Sequence, residues 1–113
     1  MTHNDAVALT LITLSELGCL AARREVGLFK DLRGNPRRIG TPGEADVQGT
    51  LPWGQSVAVE VKTGNATPSA DQKRWGAAFR SKGGLYILAR FNATVDGRDT
   101  IRRAIEGVRK GAA

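Results

Sequence analysis

Residues 56–64 read SVAVEVKTG. The alternation is that of a β-strand, with Val57, Val59 and Val61 on one face and Ser56, Ala58, Glu60 and Lys62 on the other. A valine face packs against a core. The opposite face carries a carboxylate and an ammonium two residues apart, and that pairing asks for a chemical reason.

Working outward, PWGQ (Pro52–Gln55) reads as a turn. It pairs this strand antiparallel with an earlier one over Glu44–Leu51, EADVQGTL. Downstream, TGNATP is a loop. A helix is predicted from Ser69 to Lys82, stopped at Gly83 and Gly84. LYILARF (Leu85–Phe91) is apolar enough for a central strand. A helical crossover between the two strands makes them parallel.

At the ends of the chain, a first helix is predicted over Asp5–Ala22, capped by Asn4 or Asp5, and a last one over Asp96–Lys110. REVGLF (Arg24–Phe29) is a predicted strand, and KDLRGNPRRIGTPG a basic loop. The order is αβββαβα. It predicts one domain over residues 1–113, α/β or α+β, with a mixed central sheet flanked by helices.

Cys19 is the single cysteine, so no disulfide forms within the chain. The single histidine, His3, sits near a terminus expected to fray, which argues against a His/Cys zinc site. A reducing, cytoplasmic setting is the simplest expectation. AVALTLITLSELGCLAA is apolar, but Thr, Ser and Glu16 interrupt it; it reads as a buried helix rather than a leader or a membrane span. The net charge of +6 and a pI near 10.3 suit a polyanionic partner.

Asp46 lies on the strand preceding Glu60 and can approach it across the antiparallel pair. Two carboxylates and one lysine at the end of a sheet suit a hard divalent cation such as Mg²⁺, which takes oxygen ligands and keeps several waters. Such an ion activates water and neutralises charge building on a phosphodiester. A solvated face of an antiparallel pair would carry the same residues without any chemistry.

GEADVQG, VAVEVKTG and PSADQKRW occur in that order, and together they resemble the PD-(D/E)XK nuclease superfamily. The likeness is to its VRR-NUC branch of standalone phage or bacterial type, which is similar to the Holliday-junction resolvases. It spans Glu16 to about Arg90. Its pieces are a helical Glu, an Asp on the second strand, Glu-x-Lys on the third and a Gln opening the next helix. Ala45 stands where the superfamily name places proline, a departure that touches backbone shape rather than the carboxylate.

The resemblance implies the α/β alternative, with a restriction-endonuclease-like αβββαβ core. It implies Mg²⁺, or Mn²⁺ as a substitute, held by Asp46, Glu60 and the backbone carbonyl of Val61. Lys62 would position the attacking water or stabilise the transition state, leaving a 5′-phosphate. Gln72 would support the site, and Glu16 would bind metal through water. The implied activity is structure-selective cleavage of DNA, four-way junctions first, by a homodimer that cuts opposed strands. Flap or end cleavage, sequence-specific cleavage and a non-catalytic DNA-binding module are the competing readings.

Several of these residues have a second reading. Gln72, three residues after Ser69, also completes a capping box. Arg37 and Arg38 before Asp46, and Lys73 and Arg74 on the second helix, are candidate phosphate contacts or simply solvated charges. Trp75 is expected to pack rather than stack on bases, and Cys19 to be a small core residue.

Overall fold

Thr2 starts the first helix. Its hydroxyl accepts from Asp5 N at 3.1 Å while the Asp5 carboxylate accepts from Thr2 N at 3.0 Å, a reciprocal capping box. In this computed structural model, which describes residues 1–24 and 27–112, α1 therefore runs His3–Glu16, and the cap is Thr2 rather than Asn4 or Asp5. The helix stops six residues earlier than the apolar run suggests. Gly18 adopts φ +82°, a left-handed turn that ends it, and the chain enters β1 (Leu20–Arg23). Thr10 and Thr13 are buried in α1, and their hydroxyls donate to the Ala6 and Leu9 carbonyls at 2.9 and 2.8 Å. These polar groups therefore enter the core already paired.

The predicted strand over Arg24–Phe29 is replaced by two elements. The sheet strand is β1, and Glu25 and Val26 lie outside the described residues. Then β2 (Gly27–Lys30) pairs antiparallel with β3 (Pro36–Ile39), so part of the predicted basic loop is a hairpin with its own two-stranded sheet. Proline is tolerated at the first residue of such an edge strand, where no ladder N–H is needed.

The main sheet continues with β4 (Val47–Thr50), β5 (Ser56–Thr63) and, after α2 (Ala70–Ser81), β6 (Leu85–Phe91); α3 is Gly97–Ala112. Strand order is β1-β4-β5-β6. The β4–β5 pair is antiparallel and the β5–β6 pair parallel, as the turn and the crossover require. Within this sheet the predicted αβββαβα order holds, with the hairpin inserted between its first two strands.

Both faces of β5 are covered. Val57, Val59 and Val61, with Ile87, Ala89 and Phe91 of β6, pack on Ala6, Val7 and Leu14 of α1 and on Ile101 and Ile105 of α3. Cys19 belongs to the same core. The other face meets α2, where a side chain at Gly76 would fall 2.8 Å from the Tyr86 ring. Trp75 stacks on Phe79 with centroids 5.0 Å apart, a packing role as expected. Among the described residues no helix is long and apolar enough to cross a membrane.

Candidate active site

The β4–β5 ladder ends at the Val47–Val59 pair. One residue before β4, Asp46 takes over where the ladder stops: its Oδ2 accepts from Val61 N at 2.9 Å. A strand turns a residue's N–H and C=O to the same edge. The Val61 carbonyl is thus aimed at the same side as Asp46, past the last ladder pair. The register that buries the three valines places Glu60 on the α2 face, beside Asp46, with only 1% of its surface exposed.

From α2, Gln72 binds both charged residues of the strand. Its Nε2 donates to Glu60 Oε1 at 3.0 Å, and its Oε1 accepts from Lys62 Nζ at 2.9 Å. Lys62 Nζ is also 3.7 Å from Glu60 Oε1. The same Oε1 of Gln72 accepts from Ser69 N at 2.8 Å, while Ser69 Oγ accepts from Gln72 N at 3.1 Å. The capping box and the contact with Lys62 therefore coexist in one side chain. Gly43, at φ +82°, locks the loop before Asp46 onto this helix, because a Cβ there would fall 2.2 Å from the Asp71 carbonyl oxygen.

Burial and then the neighbouring Asp46 charge push the Glu60 carboxyl up to about 8, with Lys62 pulling the other way. Glu60 Oε2 is buried with no hydrogen-bond partner. Two adjacent carboxyls set against one ammonium favour a proton on the buried one, and one of its oxygens has nothing bound to it. That donor set fits a divalent cation. Among the described residues no three His, Cys, Asp or Glu side chains converge on one point, so protein ligands would be two carboxylates and the Val61 carbonyl, with water for the rest. Tyr86, reaching the site from β6, has a second unpaired buried oxygen; burial and then the Glu60 charge push its hydroxyl up to about 12.

Glu16 does not join this group. It ends α1, where the chain turns towards the Leu20–Thr50 end of the sheet; its exposed side chain lies 3.7 Å from Arg102. The helix runs the other way along the sheet from what a catalytic Glu16 needs. The residue it does deliver is His3, whose Nε2 lies 3.3 Å from Asp46 Oδ1. Sequence reading passed over His3 as a frayed terminus; the capping pattern Thr2…Asp5 was the signal that this end is ordered. Lys73 and Arg74 are exposed on the first turn of α2 beside Gln72, with Arg74 paired to Asp71. Arg37 lies on the hairpin, paired to Asp31 at 3.1 Å, and the Arg38 side chain lies outside the described residues.

Asp46, at the foot of β4, and Glu60 and Lys62, on β5, thus meet at one end of a helix-flanked mixed sheet. The fold is similar to that of a VRR_NUC domain, with a TM-score of 0.57 and 20% identity over 88% of this chain and 90% of that one. It is also similar to Hjc of Archaeoglobus fulgidus, a Holliday junction resolvase from an archaeal hyperthermophile, with a TM-score of 0.56 and 21% identity. That match covers 82% of this chain, which spans 66% of the resolvase chain. No family model and no curated protein matches the sequence.

Proposed function

We propose that the protein is a metal-dependent endonuclease that hydrolyses phosphodiester bonds in branched DNA, with four-way junctions as its first substrate. The observation that carries this reading is the Asp46–Glu60 pair, two carboxylates from adjacent strands with Glu60 Oε2 buried and unpaired beside Lys62. The likeness in fold to a junction resolvase and a VRR_NUC domain supports it.

Asp46, Glu60 and the Val61 carbonyl would hold Mg²⁺, or Mn²⁺ in its place. When bound, the ion supplies neutralisation of phosphate charge and acidification of water. Gln72 fixes Lys62, so its ammonium stands ready to orient the attacking water or to meet the negative charge of the transition state. Water forms a bond to phosphorus as the bond to the 3′ oxygen breaks; the attacking water gives up one proton to solvent, the 3′ oxygen takes one from solvent, and the 5′ side keeps the phosphate. Lys73 and Arg74 flank the site and contact the backbone. Glu16 has no part in this scheme.

A junction is resolved by paired cuts on opposed strands. One site per chain then calls for a two-fold dimer, and Ile12 and Leu20, 54% and 80% exposed, are apolar surface available to it. The test is a panel of labelled four-way, flap and linear DNAs with Mg²⁺, with Mn²⁺ and with chelator. Junction cleavage that needs the ion supports the reading. Salt-sensitive binding without cleavage under any metal replaces it with a DNA-binding module.

A further inference from the structure

The β2–β3 hairpin stands apart from the rest of the fold. Its strands pair only with each other, and among the described residues no helix or further strand packs along it. The molecule measures 51 × 32 × 25 Å. Its radius of gyration is 14.8 Å, above the roughly 13 Å of a compact chain near this length. Residues 27–39 carry Lys30, Arg33, Arg37 and Arg38 against one acid, Asp31, a net +3.

The described chain on either side of the hairpin meets beside the candidate site. Arg24 N donates to the Asp46 carbonyl at 2.7 Å, and Arg24 Nε to Glu44 Oε1 at 2.9 Å. The hairpin tip is fixed. Asp31 Oδ1 accepts from Arg33 N and Asn35 N, both at 2.9 Å, Gly34 N donates to the Asp31 carbonyl at 2.9 Å, and Gly34 takes φ +80°. This is a turn with Asp at its first position and Gly at its fourth. What it holds outward is Leu32, fully exposed. A lone exposed leucine on a flat surface is ordinary. Leu32 instead sits at the apex of a basic arm, on a turn whose hydrogen bonds are satisfied internally.

We infer that the hairpin is a DNA-engaging arm in which Lys30 and Arg33 meet phosphates and Leu32 abuts the interrupted base stack at a branch point. This rests on the nuclease reading and names what selects its substrate. Five residues from root to tip give a reach of about 17 Å, or about five base pairs at ~3.4 Å each. A two-stranded ribbon fits a DNA groove. Apolar wedges enter where bases unstack, and at a junction the stack is already broken, so insertion is cheaper there than in continuous duplex.

The test compares wild type with Leu32→Ala, Leu32→Phe and the double change Lys30→Ala, Arg33→Ala. Binding and cleavage are measured on a four-way junction and on linear duplex of the same sequence, with 2-aminopurine at the branch. Leu32→Ala should lose about tenfold of junction-over-duplex preference and the 2-aminopurine brightening, with duplex binding unchanged; a tenfold loss corresponds to about 1.4 kcal/mol. Leu32→Phe should keep both. The double change should weaken both substrates and lower the salt slope by about 1.8, two phosphates at ~0.9 each. If wild type cleaves junctions and Leu32→Ala prefers them equally, the arm is overturned and the nuclease reading stands. If wild type neither binds nor cleaves DNA, both fall.

Discussion

The imidazole of His3 lies 3.3 Å from the carboxylate of Asp46, 43 residues away in sequence. The capped first turn of α1 puts it there, with Nε2 against Oδ1 while Val61 N holds Oδ2. Both oxygens of the aspartate are thus oriented before any metal arrives. His3→Ala should lower cleavage by about tenfold, the low end for losing a partner of a metal ligand, and raise the Mg²⁺ concentration needed for half-maximal rate. Because the ring is 43% exposed, circular dichroism and melting should be nearly unchanged. Unaltered metal dependence would mean the contact is incidental.

Asp46→Asn and Glu60→Gln each remove a charge but keep shape. Both should abolish metal-dependent cleavage, while DNA binding survives or tightens as negative charge leaves the site. Near-normal turnover in either variant removes that residue from the metal site.

The Glu60 carboxyl, with an ordinary value of 4.5, is pushed up to about 8 in the fold, first by burial and then by Asp46. Between those values the folded protein holds a proton that the unfolded chain releases. Stability of the metal-free protein therefore falls as pH rises through that window and levels off above it. Melting in chelator should be higher at pH 5.5 than at pH 8 on this account, and Glu60→Gln should flatten the difference. Metal must displace the same proton, so Mg²⁺ affinity should rise by about tenfold per pH unit up to about 8. Calorimetry in two buffers of different ionisation enthalpy reads the released proton directly.

Lys62→Ala should cut turnover by about 10²–10³ with little change in metal affinity, because its ammonium acts on water or phosphate rather than on the ion. Single-turnover rates at saturating Mg²⁺, set beside a metal titration, separate the two. Lost binding with unchanged chemistry would reverse the assignment.

Gly43→Ala brings a Cβ against the Asp71 carbonyl at a left-handed φ. It should destabilise by about 1–3 kcal/mol and loosen Gln72. Gly54→Ala shares the positive φ but meets nothing within 4 Å and should cost less. Urea titrations of both variants compare the two costs.

The strand SVAVEVKTG, the turn PWGQ, the capped helix after Ser69 and the strand LYILARF were legible because local patterning and turn chemistry dictate them. LYILARF matches β6 residue for residue. Of the first forty residues, the helix was legible but not its end, nor the strands that follow. An apolar run of helix-forming length hides a break at Gly18, and whether LAAR joins a helix or a sheet depends on β4 being there to pair with it. The hairpin was missed for a similar reason: its signals are Asp31, Gly34 and a pairing between two short polar segments, which look like a loop until they meet.

The sequence by itself determined that Asp46 and Glu60 fall on neighbouring strands, that Lys62 shares the face of Glu60 and that Gln72 opens the next helix, because strand register and one capping motif dictate those placements. Only the tertiary structure decided what surrounds them. It buried Glu60 under α2, turned Glu16 away and brought His3 in. Those outcomes depend on which end of a helix lies over which end of a sheet, and packing sets that direction where local periodicity carries no information about it.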